Sequence, residues 1–218
     1  MSRLKLALFD MDGLMIDSER LAFNCWKNTL QKYGEDVTEE EYVGYSGHRY
    51  DEIRVLFQQK RPWFHQFEEF EKESDLDFMN AIDAGVPLKP GLHELLDALD
   101  EKGIQKVIVS SSSNEHVERT LKPSGIKARF AGVIGGMKVK HSKPKPDIFL
   151  LACETYGVRP EDCIVFEDSI AGVMASIAAN IPVICVPDMR PLPEELAAQC
   201  YAVCPTLAEA IPLIDDFD

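Results

Sequence analysis

The chain has 218 residues, 45% of them hydrophobic, which is enough to bury a sizeable core in one large domain or two unequal ones. Its 23 Lys and Arg stand against 37 Asp and Glu, and the net charge of −14 repels both nucleic acid and anionic membrane surfaces, so neither is expected as a partner. An anionic ligand would have to be received by a local cation or by a cluster of backbone N–H donors.

The first predicted element is a strand ending at Phe9, too short and too soon followed by carboxylates for a signal peptide or a membrane span. A cytoplasmic protein is the default expectation. Residues 16 to 83 carry Trp26, Tyr33, Phe57, Trp63, Phe67 and Phe70 among many charges, with helical periodicity and little strand character. This stretch is too apolar for a linker and reads as a small packed helical domain inserted after the first strand, with the acidic run Phe67 to Asp77 as a solvated helix face. From residue 84 onward, apolar and amphipathic runs alternate as in βαβ units. Leu92, Leu95, Leu96 and Leu99 mark one helix, with Gly103 after it. A strand over Lys106 to Val109 follows, then a helix stopped by Pro123 and a strand near Val133 and Ile134. The next helix runs from Asp147 to Tyr156, with Gly157 behind it. Beyond it lie a strand Cys163 to Phe166, a small-residue helix Ile170 to Ala179, a strand Pro182 to Val186, a short strand at Tyr201 to Val203 and a last helix. The fold class expected is α/β: a Rossmann-like parallel sheet with helices on both faces, formed by residues 1–15 and 84–218, plus the all-helical domain of residues 16–83. The six cysteines form no CxxC pair and read as reduced structural thiols, and no HExxH arrangement supports a zinc hydrolase.

Ligands of such sheets bind outside the C-terminal strand edge, so polar residues just past the strand ends carry the functional reading. Asp10 and Asp12 alternate in a loop whose sharp turn suits Gly13. One carboxylate of such a pair can act as nucleophile and the other as acid and base, although an Asx-type turn with a glycine is common. After the second strand, Ser110-Ser111-Ser112-Ser113-Asn114 opens a helix, where hydroxyls and free N–H groups receive anions; a helix cap explains one or two serines, not four. Lys143 and Lys145 are set among prolines in Lys143-Pro144-Lys145-Pro146-Asp147, and a lysine held there supplies local positive charge, unless both are simply solvated. Glu167-Asp168 ends a strand so apolar that an unpaired double carboxylate would be costly. A hard divalent cation bound by Asp10, Asp168 and Glu167 removes that cost, and magnesium accepts such ligands while keeping several waters. Ser169 fits the cap of the next helix. Together these groups equip a site for phosphoryl transfer through an aspartyl-phosphate.

Leu6-Ala7-Leu8-Phe9-Asp10-Met11-Asp12-Gly13, Val107-Ile108-Val109-Ser110-Ser111-Ser112, Ser142-Lys143-Pro144-Lys145-Pro146-Asp147 and Ile164-Val165-Phe166-Glu167-Asp168-Ser169-Ile170-Ala171-Gly172 resemble, in order and context, the four motifs of the haloacid dehalogenase-like superfamily. The insertion after the first motif is similar to the branch that includes β-phosphoglucomutase and sugar-phosphate phosphatases. The resemblance covers nearly the whole chain and matches the helical insertion in type. It implies that Asp10 is the nucleophile and a magnesium ligand. Asp12 would be the acid/base, lending its backbone carbonyl to the metal. Ser111, with backbone N–H groups near Met11 and Ser112, would hold the phosphoryl group, Lys143 would bridge that group and Asp10, and Asp168 with Glu167 would hold magnesium. A dehalogenase is disfavoured, because those members lack the aspartate that is Asp12 here.

The resemblance also makes residues 16–83 a cap that supplies substrate contacts, opening and closing about connections near residues 15–18 and 83–88. The turn Gly44-Tyr45-Ser46-Gly47-His48-Arg49 is similar to a cap loop of relatives, which makes His48 and Arg49 candidate substrate contacts; a structural turn with solvated side chains reads equally well. In β-phosphoglucomutases a histidine follows the acid/base aspartate by ten residues, and here that position is Ala22. The expected function is therefore magnesium-dependent hydrolysis of a small phosphorylated metabolite, a sugar phosphate, by a monomer or weak dimer. A phosphosugar mutase is the alternative. A catalytically silent protein that binds a phosphorylated ligand is the third reading, against which intact Asp10 and Asp12 argue.

Overall fold

The computed structural model describes residues 3–45, 50–215 and 217. Its sheet grows outward from the first strand. β1 (Leu6–Phe9) lies between β2 (Gln105–Ser110) and β4 (Cys163–Glu167); β3 (Gly132–Gly135) is outside β2, and β5 (Val183–Cys185) and β6 (Ala202–Val203) are outside β4. Every pairing is parallel, with Phe9 level with Ile108 on one side and Phe166 on the other. The central strands read as continuous apolar runs because both faces are covered, and Leu6 to Phe9, Val107 to Val109 and Cys163 to Phe166 are fully buried.

Between β1 and β2 the chain forms α1 (Ser18–Lys32), α2 (Glu39–Val43), α3 (Tyr50–Lys60), α4 (Phe67–Ala84) and α5 (Leu92–Glu101). α6 (Asn114–Leu121) follows β2, α7 (Asp147–Tyr156) follows β3, and α8 (Ile170–Ala178) links β4 to β5. The short α9 (Glu194–Ala197) and α10 (Ile211–Asp215) complete the chain. Alternate strand residues such as Leu6, Leu8, Val107 and Val165 share a core with Ile148 and Phe149 of α7 and Val173 of α8, the period of two that a pleated strand imposes. On the other face of β1, Phe9 stacks on Phe166 with centroids 4.6 Å apart and meets Phe130 edge-on at 5.4 Å. The four leucines at helical spacing in α5 are all fully buried.

Two compact units result: Met1–Ser18 with Gly85–Asp218, and Glu19–Ala84. The sheet unit retains residues through Ser18 because the chain leaving it pairs with the chain returning. Ile16 bridges Leu88 antiparallel, Asp17 N donates to Pro87 O at 2.9 Å and Lys89 N to Met15 O at 2.9 Å. The Glu19–Ala84 unit is helical and holds its own aromatic core, with Trp26 edge-on to Phe70 at 5.1 Å and Phe57 against Phe67 at 5.2 Å. In α4 Glu68, Glu69, Glu73, Asp75 and Asp83 are exposed while Phe67, Phe70 and Ile82 are buried. Trp63 lies outside this core: it is 61% exposed, and its indole N–H donates to Glu35 Oε1 at 2.7 Å. All six cysteines are free thiols, and no helix among the described residues is long and apolar enough to cross a membrane.

Candidate active site

The strand order places consecutive strands on opposite sides of the sheet at β1 and β4, so the loops leaving these two neighbours diverge and open a crevice at their C-terminal ends. Asp10 prolongs β1, its N–H donating to Phe166 O at 3.1 Å. The chain then turns sharply, with Gly13 N bonded to Ile16 O at 3.0 Å and Met15 N to Met11 O at 2.9 Å. Gly13 has φ +79°, and a Cβ there would stand 2.3 Å from Asp168 Oδ2, so both conformation and space demand glycine.

Lys143 is the hub. Its Nζ donates to Asp10 Oδ1 at 2.5 Å, Glu167 Oε1 at 2.6 Å and Val109 O at 3.3 Å, and its side chain is 5% exposed. Lys145, the other candidate, is exposed. Glu167 is wholly buried. Its Oε2 accepts from Asp168 N, Ser169 N and Ser169 Oγ, each at 3.0 Å. One oxygen of Glu167, expected with Asp168 to hold the metal, fixes Lys143, and the other closes the turn into α8. Ser169 is the cap of that helix, its Oγ accepting from Gly172 N at 3.0 Å. Gly172 lets the carboxylate lie directly on the helix, since a Cβ there would fall 1.7 Å from Glu167 Oε1.

The serine run divides its labour. Ser110 Oγ accepts from Ser112 N at 3.1 Å, and Ser113 caps α6 by accepting from His116 N at 3.2 Å. Ser112 Oγ donates to Asp12 Oδ2 at 3.4 Å, and Ser111 is exposed beside it. Two of the four hydroxyls thus build the loop, Ser112 reaches Asp12, and Ser111 is exposed.

Burial pushes the Asp10 carboxyl up to about 7, with Lys143 acting against it and Glu167 and Asp12 adding to it. Burial likewise raises Asp12, opposed by the Ser18 hydroxyl, His116, the Ser112 hydroxyl and Lys143. Asp168 is raised well above the usual carboxylate range, first by burial and then by Glu167 and Asp10. Lys143 has burial working against its charge, yet Asp10 and Glu167 hold it above the ordinary lysine range. Among the described residues, no three His, Cys, Asp or Glu side chains form a ready-made metal group. The donor set nevertheless suits magnesium, which takes one or two carboxylates and keeps waters: a cation beside Asp10 and Asp168 would reverse both upward shifts.

Four neighbours of the site had no motif to announce them. Ser18 and His116 flank Asp12, and Lys89 joins Asp188 of the loop after β5. The available signal was positional: Asp188 follows the apolar run ending at Val186, as Asp10 and Asp168 follow theirs. His48 and Arg49 lie outside the described residues.

Residues 7–186 match the family described as haloacid dehalogenase-like hydrolase. The phosphorylated carbohydrates phosphatase of Thermotoga maritima is 28% identical over 178 residues, 82% of each chain. Hexitol phosphatase B of Escherichia coli K12 is 30% identical over 183 residues, 83% of this chain and 82% of its own. Among solved structures, a putative β-phosphoglucomutase from Thermotoga maritima superposes with a TM-score of 0.82 at 25% identity, covering 98% of this chain and 99% of that one.

Proposed function

We propose, starting from the fact that this chain belongs to the haloacid dehalogenase-like hydrolases, that it is a magnesium-dependent phosphatase acting on a small phosphorylated metabolite, a sugar phosphate, through a phosphoryl group carried on Asp10. The observation that carries this reading is the Lys143 ammonium on Asp10 Oδ1, with a second carboxyl, Asp12, two residues on and kept protonatable by burial. With Oδ1 held, the other oxygen of Asp10 attacks phosphorus as the bond to the leaving oxygen breaks. Asp12 gives its proton to that oxygen. It then takes a proton from the water that attacks the phosphorus of the acyl phosphate, freeing Asp10 and inorganic phosphate. Ser111, Ser112 and Lys143 receive the phosphoryl oxygens, and Glu167 acts by fixing Lys143. Asp10, Asp168 with Glu167 and the main-chain carbonyl of Asp12 would hold magnesium, which supplies charge neutralisation at the phosphoryl group. The inserted helical unit is the cap, and it sets specificity for the organic part of the substrate. Support for a sugar phosphate comes from the phosphatases of phosphorylated carbohydrates and hexitols to which the chain is similar.

A mutase is the second reading, favoured by likeness to the putative β-phosphoglucomutase and disfavoured by Ala22. The test is phosphate release from a panel of sugar and polyol phosphates, with magnesium or with chelator, by wild type and Asp10→Asn. Magnesium-dependent release is expected, at least about a thousandfold slower in the variant. No turnover on any substrate, or equal turnover in the variant, defeats the proposal. Conversion of β-glucose 1-phosphate to the 6-phosphate faster than phosphate release, with a trace of bisphosphate present, replaces it by the mutase.

A further inference from the structure

The loop after β5 brings one more strand end to this edge, and one of its side chains is only half accounted for. Asp188 Oδ1 accepts a 2.6 Å bond from Lys89 Nζ, whereas Oδ2 is buried without a hydrogen-bond partner. The side chain is 6% exposed, so bulk water does not satisfy it. A buried carboxylate oxygen is costly unless a donor reaches it.

Gly13 shows where that oxygen points. A Cβ built on Gly13 would lie 3.3 Å from Asp188 Oδ2 and 2.3 Å from Asp168 Oδ2, so both oxygens converge on one point over the Gly13 backbone. Lys89 cannot serve it from where it stands. Its main-chain N–H is fixed to Met15 O at 2.9 Å, and its ammonium lies between Asp188 Oδ1 and Asp17 Oδ1, the latter at 3.6 Å. What satisfies both oxygens must present protons to Asp188 and positive charge to Asp168. A hydrated divalent cation presents both.

We infer that Asp188 is a positioning residue for the metal: its Oδ2 accepts a hydrogen bond from a hydration-shell water of the cation that Asp168 holds, and Lys89 fixes its orientation. The inference rests on the magnesium reading above and adds to it a residue from outside the four motifs. Such outer partners change metal affinity by about 10- to 100-fold.

The test is calorimetric titration of the full-length protein with magnesium alone, so that binding is read without turnover. Asp188→Asn and Asp188→Ser are each expected to bind about 10- to 100-fold more weakly than wild type, the second variant guarding against a failure of the first to fold, as checked by circular dichroism. Asp17→Asn removes the same charge from the other side of Lys89, at a half-buried carboxylate 3.6 Å from that ammonium with no part assigned to it at the cation, and should stay within about threefold. Asp168→Asn should lose binding. Unchanged affinity in both Asp188 variants, with loss in Asp168→Asn, overturns this inference alone. Equal weakening in Asp17→Asn reduces the effect to net charge and also overturns it. Absence of magnesium binding by wild type overturns both this inference and the metal reading beneath it.

Discussion

At the scale of single residues, one ammonium compensates two buried carboxylates, because Lys143 is shared between Asp10 and Glu167. Removing one partner of a buried ion pair leaves the others uncompensated, which costs about 3–5 kcal/mol, far more than a surface pair is worth. Lys143→Met should therefore lower unfolding free energy in urea by about 3 kcal/mol or more and slow turnover by at least about a hundredfold. Turnover loss without destabilisation would mean that the carboxylates are satisfied by other means. The sequence already singles out Asp10, Asp12, Lys143 and Asp168, because each follows an apolar strand or sits in a stiff loop. It does not disclose that Glu167 faces Lys143, or that Asp188 faces Lys89 across 99 positions, since a lone lysine and a lone aspartate carry no local pattern.

At the scale of elements, the proposed function divides the serine loop between building and binding. Ser113 closes the first turn of α6, while Ser111, proposed to receive the phosphoryl group, is exposed. Ser113→Ala should cost about 1 kcal/mol in thermal or urea unfolding and leave the Michaelis constant nearly unchanged. Ser111→Ala should do the reverse, staying within about 0.5 kcal/mol of wild-type stability while weakening inhibition by inorganic phosphate. If both variants lose stability and neither alters phosphate inhibition, the division fails. The elements themselves are largely legible from the chain. The run Val107 to Val109 lies inside β2, the four leucines mark α5, and α6 ends just before Pro123. Element ends are less so: β2 extends to Ser110 because its backbone pairs with Gly135, a partner that periodicity does not reveal. Trp63 looks like core by type, yet its ring lies on the surface because the indole N–H finds Glu35 there.

At the scale of the molecule, the surplus of carboxylates has two different fates. Asp10, Asp12 and Asp168 are raised, whereas Glu41 in the helical unit is lowered from 4.5 to about 2, foremost by its hydrogen bond from Arg61, with burial opposing and Tyr45 assisting. Arg61 grips it through both guanidinium ends, at 2.5 and 2.9 Å, and lies 4.6 Å from the Phe57 ring centre. A depressed carboxyl stabilises the fold fully above its unfolded value and loses that contribution as pH falls through the folded one. The stability difference between wild type and Glu41→Gln should therefore be largest above about pH 4.5 and shrink as the pH approaches about 2, as read from urea midpoints across that range. A difference independent of pH would show that the pair contributes by packing alone. The bridge between Ile16 and Leu88 has a wider consequence. For the sheet, everything between those residues is a single loop whose ends are already pinned together, and doubling the length of a loop adds only about 0.6 kcal/mol to the entropy of closing it. A descendant gene can lengthen, shorten or exchange that insert while the strand-end residues keep their places, so, with the insert setting specificity as proposed above, selection on what the enzyme accepts is uncoupled from selection on how it reacts.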